Sequence, residues 1–246
     1  MTTALIDIRS LTFKYSPVDS WSLLVSELLI EKRSFYSLLG NNMSGKTTLL
    51  RLIFGLERIP ARKGSNCGPL LSGELISGRA RRWATFLEVR PKETTFLSHS
   101  DRMFPELSLW DNVRVIRQRR NRLTKKEAKR RFDHYLDDIP VLRGKSTRSL
   151  SSLSSGGQAL VRLARSYVWS SQLVLIDEVT AHLDDRNATV FFSQLEKLMS
   201  GGCSVVLVSH LDRDHKLGER AAKACETKYV PLLIRMNENQ SCLERR

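Results

Sequence analysis

Between the apolar run Ser34-Phe35-Tyr36-Ser37-Leu38-Leu39 and the amphipathic stretch marked by Leu49, Leu52, Ile53 and Leu56 lies Gly40-Asn41-Asn42-Met43-Ser44-Gly45-Lys46-Thr47-Thr48. Two glycines enclosing four residues, followed by Lys and a hydroxyl residue, form the pattern of a phosphate-binding loop. The flanking runs read as a buried strand and as a helix with spacing i, i+3, i+4, i+7. The loop therefore leads into a helix N-terminus, where unpaired N–H groups and the positive end of the helix dipole attract a polyphosphate. Gly40 and Gly45 let the backbone approach that anion, Lys46 adds a point charge, and the Thr47 hydroxyl suits a Mg²⁺ ion. The pattern predicts a site for a nucleoside triphosphate.

Two later stretches bear on the same chemistry. Leu173-Val174-Leu175-Ile176-Asp177-Glu178 is an apolar strand ending in two carboxylates. In a parallel sheet such a strand end faces the ligand crevice. Asp177 is then placed to hold Mg²⁺ through water, and Glu178 to orient and polarise an attacking water. Leu153-Ser154-Ser155-Gly156-Gly157-Gln158 precedes an apolar stripe at Leu160, Leu163, Ala164 and Tyr167. Ser154 is expected to cap that helix, with the glycines leaving its N–H groups open to an anion. Taken alone, such a stretch is more commonly a Ser/Gly linker; its position between the phosphate loop and the Asp177-Glu178 strand changes that weighting.

The remaining chain supports an α/β architecture. Ala4–Ile8, Leu11–Tyr15 and Leu23–Ile30 read as antiparallel strands, residues 58–73 as a loop, and Glu74–Ser77 and Thr94–Leu97 as short strands. From about 100 to 150 the pattern is helical. Thr124 and Glu127 form a capping-box signature, with Ala128, Phe132, Tyr135, Leu136 and Ile139 on one face. Beyond 150, helices alternate with strands at Leu173–Ile176 and Ser204–Val208, as a parallel sheet requires. No apolar run approaches the roughly 18 residues of a membrane span, and the first residues lack the features of a signal peptide. Cys67, Cys203, Cys225 and Cys242 have neither metal-type nor redox spacing and read as reduced thiols.

In order and spacing, these stretches resemble the ATP-binding cassette (ABC) ATPases, from Tyr15 to His210. The resemblance implies a P-loop NTPase with a parallel core sheet, an N-terminal antiparallel β subdomain and an inserted α-helical subdomain. It implies one domain over 1–246: residues 1–98 and 159–246 form the nucleotide-binding core, and 99–158 a helical subdomain carrying the signature motif. Tyr15 matches the aromatic that stacks on adenine. Residues 40–48 and the pair Asp177-Glu178 match the two Walker motifs, and Ala181-His182-Leu183-Asp184 the dimer-contact loop. His210, after Val205-Val206-Leu207-Val208-Ser209, matches the switch histidine that senses the γ-phosphate. Lys46, Glu178 and His210 are then the catalytic residues, and ATP and Mg²⁺ the ligands. In this family the signature stretch closes over ATP held by a second subunit, so Ser154, Ser155, Gly156, Gly157 and Asp184 are expected to act across a head-to-tail dimer.

The chain departs from the family pattern in places. Spacing to Asp177 aligns the signature as Leu153-Ser154-Ser155-Gly156-Gly157, with Ser in place of one Gly; a register ending at Gln158 is one residue too short. His99 stands where a Gln is expected and is read as its substitute beside the metal-bound water, given the right tautomer. Val179 replaces a common proline. Lys46, Asp177, Glu178 and His210 are all present, so hydrolysis is expected to survive.

Charge bears on partners. With 40 Lys and Arg against 26 Asp and Glu, the formal net charge is +14. From Arg114 to Arg131 there are ten basic residues and one acid, Glu127. This segment falls in the helical insert, which in transporters of the family docks to the membrane partner. It reads as a solvated face, as a contact to anionic lipid beside a membrane subunit, or as phosphate contacts on nucleic acid. The resemblance implies an ATP-hydrolysing subunit that energises a separate transmembrane permease from the cytoplasmic face of a membrane. The alternative is a soluble cassette ATPase acting on nucleic acid or ribosomes. Members of that kind usually carry two cassettes or a long coiled coil, which this chain lacks, so nucleic acid is not the expected partner.

Overall fold

A computed structural model describes residues 4–16, 20–56, 70–77, 94–98, 103–115, 123–237 and 240–245. Among these residues a single nine-stranded sheet is built from β1 (Ala4–Lys14), β2 (Ser22–Glu31), β3 (Ser34–Gly40), β4 (Leu70–Ser77), β5 (Thr94–Ser98), β6 (Leu173–Asp177), β7 (Ser204–Val208), β8 (Lys228–Asn237) and β9 (Gln240–Arg245). Its spatial order is β4-β1-β2-β9-β8-β3-β7-β6-β5. The five strands β8, β3, β7, β6 and β5 are mutually parallel and form the core. At the other end β1 pairs antiparallel with both β2 and β4. The chain is thus an α/β protein with a parallel core sheet and an antiparallel N-terminal section, and its P-loop lies at the β3 carboxyl end.

Strict alternation in the central strands sends side chains to two cores. Val174 and Ile176 of β6, Val205 and Leu207 of β7 and Phe35 of β3 face one side. There they meet α2 (Leu109–Arg114), α3 (Lys125–Asp137), α4 (Ser155–Val168), α5 (Asp185–Ser200) and α6 (Asp212–Ala224). Leu173, Leu175, Val206, Val208, Tyr36 and Leu38 face the other side, against α1 (Lys46–Phe54) and the apolar face of β1 and β2. Each fully buried aliphatic side chain contributes about 1.5–3 kcal/mol. Burial on both faces explains why these strands are apolar throughout rather than alternating.

The helical insert follows its sequence pattern. Ala128, Phe132, Tyr135 and Leu136 are buried on α3, and Ile139 follows them into the core. Thr124 caps the helix by accepting the Glu127 N–H at 3.1 Å. The Glu127 carboxylate does not complete the reciprocal box; it pairs with Arg131 at 3.0 Å, one turn on. α4 is one uninterrupted helix, so a subdomain boundary drawn after 158 falls inside it.

Four differences from the sequence reading have local causes. Residues 4–8 and 11–15 form one strand rather than two, because a bulge with Ser10 at φ 52° absorbs the irregularity. β4 begins at Leu70, four residues before the expected strand, and residues 57–69 lie outside the described residues. α1 stops at Phe54, because Gly55 takes the left-handed conformation (φ 76°) and returns its N–H to Arg51 and Leu52. Leu56 is therefore half exposed and does not extend the buried stripe. The C-terminal hairpin of β8 and β9 had no counterpart in the sequence reading, and it supplies two strands between β2 and β3.

Candidate active site

The loop after β3 adopts a conformation that its residue types permit. Gly40 has φ 147°, and a Cβ there would lie 2.6 Å from the Ile234 carbonyl oxygen and 2.8 Å from Ser44 Oγ. Gly45 is left-handed at φ 92°, and a Cβ on it would meet the Trp21 ring at 2.9 Å. Met43 also takes positive φ, at 62°, and is exposed. The Lys46 ammonium folds back to donate to the carbonyls of Gly40 (2.9 Å) and Asn41 (2.6 Å). Ser44 Oγ is buried without a hydrogen-bond partner among the described residues.

Helix α1 starts here without an acidic residue in its first turn, and Gly45 offers no side-chain cap. Among the α-helices of the described residues only α4 shares that lack of a first-turn acid; α2, α3 and α5 each carry one and α6 carries two. The positive ends of α1 and α4 thus remain uncompensated by carboxylates within their own helices. These are the helices that begin at the phosphate loop and at the Ser154–Gly157 stretch.

Strands β6 and β7 bring the acids and the histidine to the same place. Thr47 Oγ1 donates to Asp177 Oδ1 at 3.0 Å, joining α1 to the end of β6. Glu178 follows with φ 54°, a conformation that costs a non-glycine residue on the order of 1–3 kcal/mol. It is held by its N–H donating to the Val208 carbonyl at 3.0 Å. His210 Nε2 and Glu178 Oε1 meet at 2.7 Å. Burial pushes the Asp177 carboxyl above its usual range, partly offset by the Thr47 hydrogen bond. Desolvation lowers the Lys46 ammonium from its usual value, and the carboxylates of Glu178 and Asp177 oppose the shift.

These groups surround a cavity of about 580 Å³ lined by Asn42 to Thr48, Glu178, His210, Tyr15, Trp21 and Met236. The Tyr15 hydroxyl bonds Thr48 Oγ1 at 2.8 Å. Its ring stacks against Trp21 with centroids 6.0 Å apart and planes 22° from parallel. Trp21 Nε1 in turn donates to Ser241 Oγ on β9 at 3.0 Å. Gly40, Asn41 and Asp177 adjoin the cavity through their bonds to Lys46 and Thr47.

The other expected residues lie elsewhere. Ser154 caps α4, accepting the Gly157 N–H at 3.3 Å, and Ser154 and Ser155 are exposed. Gly156 is packed so closely that a Cβ would fall 2.5 Å from Cγ of Asn187. Asp184 caps α5 through the Asn187 N–H (2.7 Å) and also accepts from Asn187 Nδ2 (3.1 Å). The signature stretch and Asp184 thus share one surface of this chain, joined by Asn187, and neither lines the cavity. His99 lies outside the described residues, as do 116–122 of the basic segment. Of the segment's described part, Arg114 pairs with Asp111, Lys129 with Asp133 and Arg131 with Glu127, whereas Lys125, Lys126 and Arg130 are exposed.

Sequence reasoning did not find Trp21 or Met236. An aromatic residue just ahead of β2 was a weak signal for Trp21. Met236 reaches the cavity only because β8 pairs with β3.

The profile of the ABC transporter family matches residues 25–181, well over half of the chain. The chain belongs to the ABC transporter family. Within it the chain is an ATP-binding cassette and an ATPase. It is 31% identical to the lipoprotein-releasing system ATP-binding protein LolD of Aquifex aeolicus, over 82% of this chain and 84% of that protein. It is 30% identical to the probable branched-chain amino acid transport ATP-binding protein LivF of Archaeoglobus fulgidus, over 69% of this chain and 66% of that protein. The crystal structure of the ADP conformation of an ATP-binding cassette of an ABC transporter superposes with a TM-score of 0.71 at 16% identity, covering all of this chain and 92% of that one. This last similarity is one of fold. These comparisons favour the transporter reading over the nucleic-acid alternative. No helix among the described residues of the cassette is long and apolar enough to cross a membrane.

Proposed function

We propose that this ATPase binds Mg·ATP in the cavity above α1 and hydrolyses it with Lys46, Glu178 and His210, closing against a second cassette to energise a separate transmembrane subunit. The convergence of the phosphate loop with the 2.7 Å Glu178–His210 pair in one cavity carries this reading. The loop fits a polyphosphate. Among the described residues its lysine is tied only to carbonyls that an anion would displace, and Ser44 Oγ is an unused polar group within it. Thr47 and Asp177 would hold Mg²⁺. Two protein oxygens suit an ion that keeps most of its own waters. When bound, that ion supplies charge neutralisation for the β- and γ-phosphates.

The residues of the chain divide the remaining work. Lys46 turns from the Gly40 and Asn41 carbonyls to the phosphate oxygens, and the first-turn N–H groups of α1 bind the same anion. The base stacks on the aromatic pair Tyr15 and Trp21. Glu178 orients the attacking water and accepts its proton, and His210 holds that carboxylate and meets the γ-phosphate. The exposed N-terminus of α4, with Ser154, Ser155, Gly156 and Gly157, closes on the triphosphate of the partner cassette, and Asp184 contributes to the same contact. The permease partner places the protein at the cytoplasmic face of a membrane, with Lys125, Lys126 and Arg130 turned towards anionic lipid.

Nucleotide titration of the wild type and of Lys46→Ala tests the reading. The wild type is expected to bind and hydrolyse ATP, whereas the variant loses affinity because the phosphates lose their cation. Equal affinity in both would remove the loop as the phosphate site.

A further inference from the structure

The first turn of α6 holds together three parts of the molecule that the nucleotide reading treats separately. Asp214 is fully buried, and its Oδ2 accepts from both Thr180 Oγ1 and Ser209 Oγ (2.6 Å). Ser209 Oγ also accepts the Leu211 N–H at 3.1 Å, so the turn around His210 is fixed from both sides. The neighbouring Arg213 reaches the other way. Its Nη1 donates to the Leu183 carbonyl (2.9 Å) and to Asp185 Oδ1 (2.8 Å), and its Nε to Asp214 Oδ1 (3.2 Å). His215, the fourth residue of α6, bonds the Ser209 carbonyl at 3.0 Å and Ser37 of β3.

A buried carboxylate is costly unless its lone pairs are filled. Among the described residues its side-chain partners come from two segments, the His210 turn and residues 180–185, and from the arginine that grips the second segment. The geometry joins two loops that share no continuous secondary structure. Through Asp184 and Asn187 the join extends to Gly156 at the start of α4.

We propose that Arg213 and Asp214 are positioning residues that make the His210 turn and the 180–185 loop move as one body, so that the triphosphate state met by His210 sets the surface offered to the partner cassette. This rests on the nucleotide reading above. Such a role differs from simple stapling. Stapling would stabilise each loop separately, whereas coupling makes the response of one loop depend on the other.

Amide hydrogen exchange on the full chain, with and without Mg²⁺ and the non-hydrolysable imido analogue of ATP, distinguishes them. In the wild type the analogue is expected to slow exchange both in peptides covering 205–211 and in those covering 178–188. In Arg213→Gln, a partly exposed position, the 205–211 response and the nucleotide affinity should persist. The 178–188 response should shrink by about 2- to 30-fold, the range of couplings carried through such networks. Arg213→Lys, which keeps the charge facing Asp185, should recover part of it. Asp214→Asn should behave like Arg213→Gln. Should it fail to fold, the arginine variants still decide the outcome. If Arg213→Gln only raises exchange without nucleotide, and both segments still respond as in the wild type, the pair is a staple and the proposal is overturned. A wild type that binds no nucleotide overturns the reading beneath it as well.

Discussion

The carboxylate of Glu178 and the imidazole of His210 meet at 2.7 Å across the carboxyl ends of β6 and β7, thirty-two residues apart in sequence. The Glu178 backbone is held in a positive-φ conformation by a hydrogen bond to Val208. Val208 is two residues before His210, so one strand end aims both side chains. His210→Ala should therefore leave ATP binding nearly intact and lower the hydrolysis rate by about 10²–10⁴-fold, the contribution of a positioned acid–base group. Steady-state turnover at saturating ATP, beside a binding isotherm, checks the division.

Asp177 should trade stability for metal binding. Its folded-state pKa is raised, chiefly by burial. A raised carboxyl pKa favours the fold fully below the unfolded value, and that contribution is lost as pH rises through the folded value. Asp177→Asn has no such titration. Without metal or nucleotide, the stability of the wild type relative to this variant should fall as pH rises from acid towards neutral. At pH 7 the variant should melt at the same temperature or higher, yet lose Mg²⁺-dependent turnover. Thermal melts at several pH values measure it.

Trp21 should report nucleotide directly. It stacks on Tyr15 and presses on Gly45 at the edge of the cavity. ATP binding should change its fluorescence, and Trp21→Ala should weaken affinity by about 2- to 10-fold, as expected for loss of one aromatic stacking contact. Trp21→Phe should retain most of the affinity while removing that fluorescence response.

The signature residues should act across subunits. In the proposed head-to-tail sandwich, mixing Lys46→Ala chains with Ser154→Arg chains would leave one composite site intact. ATP-dependent dimerisation should appear in the mixture and be absent from either variant alone, as read by sedimentation or light scattering. A mixture as inert as its components would remove the head-to-tail arrangement for this chain alone.

Residues 40–48, 153–158 and 173–178 were legible because each is contiguous and its chemistry depends on local backbone: a loop, a cap and a strand end. The capping by Ser154 and Thr124 follows from the same local rule. What could not be read was set by pairing between distant segments. In β8, Pro231 interrupts an otherwise convincing strand pattern. It is tolerated because β9 pairs with β8 only from Leu232 onward, leaving Pro231 free of β9 on that side. Met236 and Ser241 reach the site through that hairpin, so Trp21 and its anchor were invisible in linear order. The overextension of α1 to Leu56 had a different cause, since apolar spacing outweighed the stop signal of Gly55. Likewise, the ten-to-one charge of residues 114–131 gave no sign that Arg114, Lys129 and Arg131 pair with carboxylates on their own helices.

Glu178→Gln should separate ATP binding from ATP hydrolysis. The substitution keeps the size and the contact with His210 but removes the charge proposed to accept the proton of the attacking water. ATP turnover and particle mass, followed together at saturating Mg·ATP, should show hydrolysis reduced by about 10²-fold or more and a stable closed dimer with ATP retained. A Glu178→Gln chain that hydrolyses ATP at the wild-type rate would contradict the assignment of Glu178 and, with it, this account of the site.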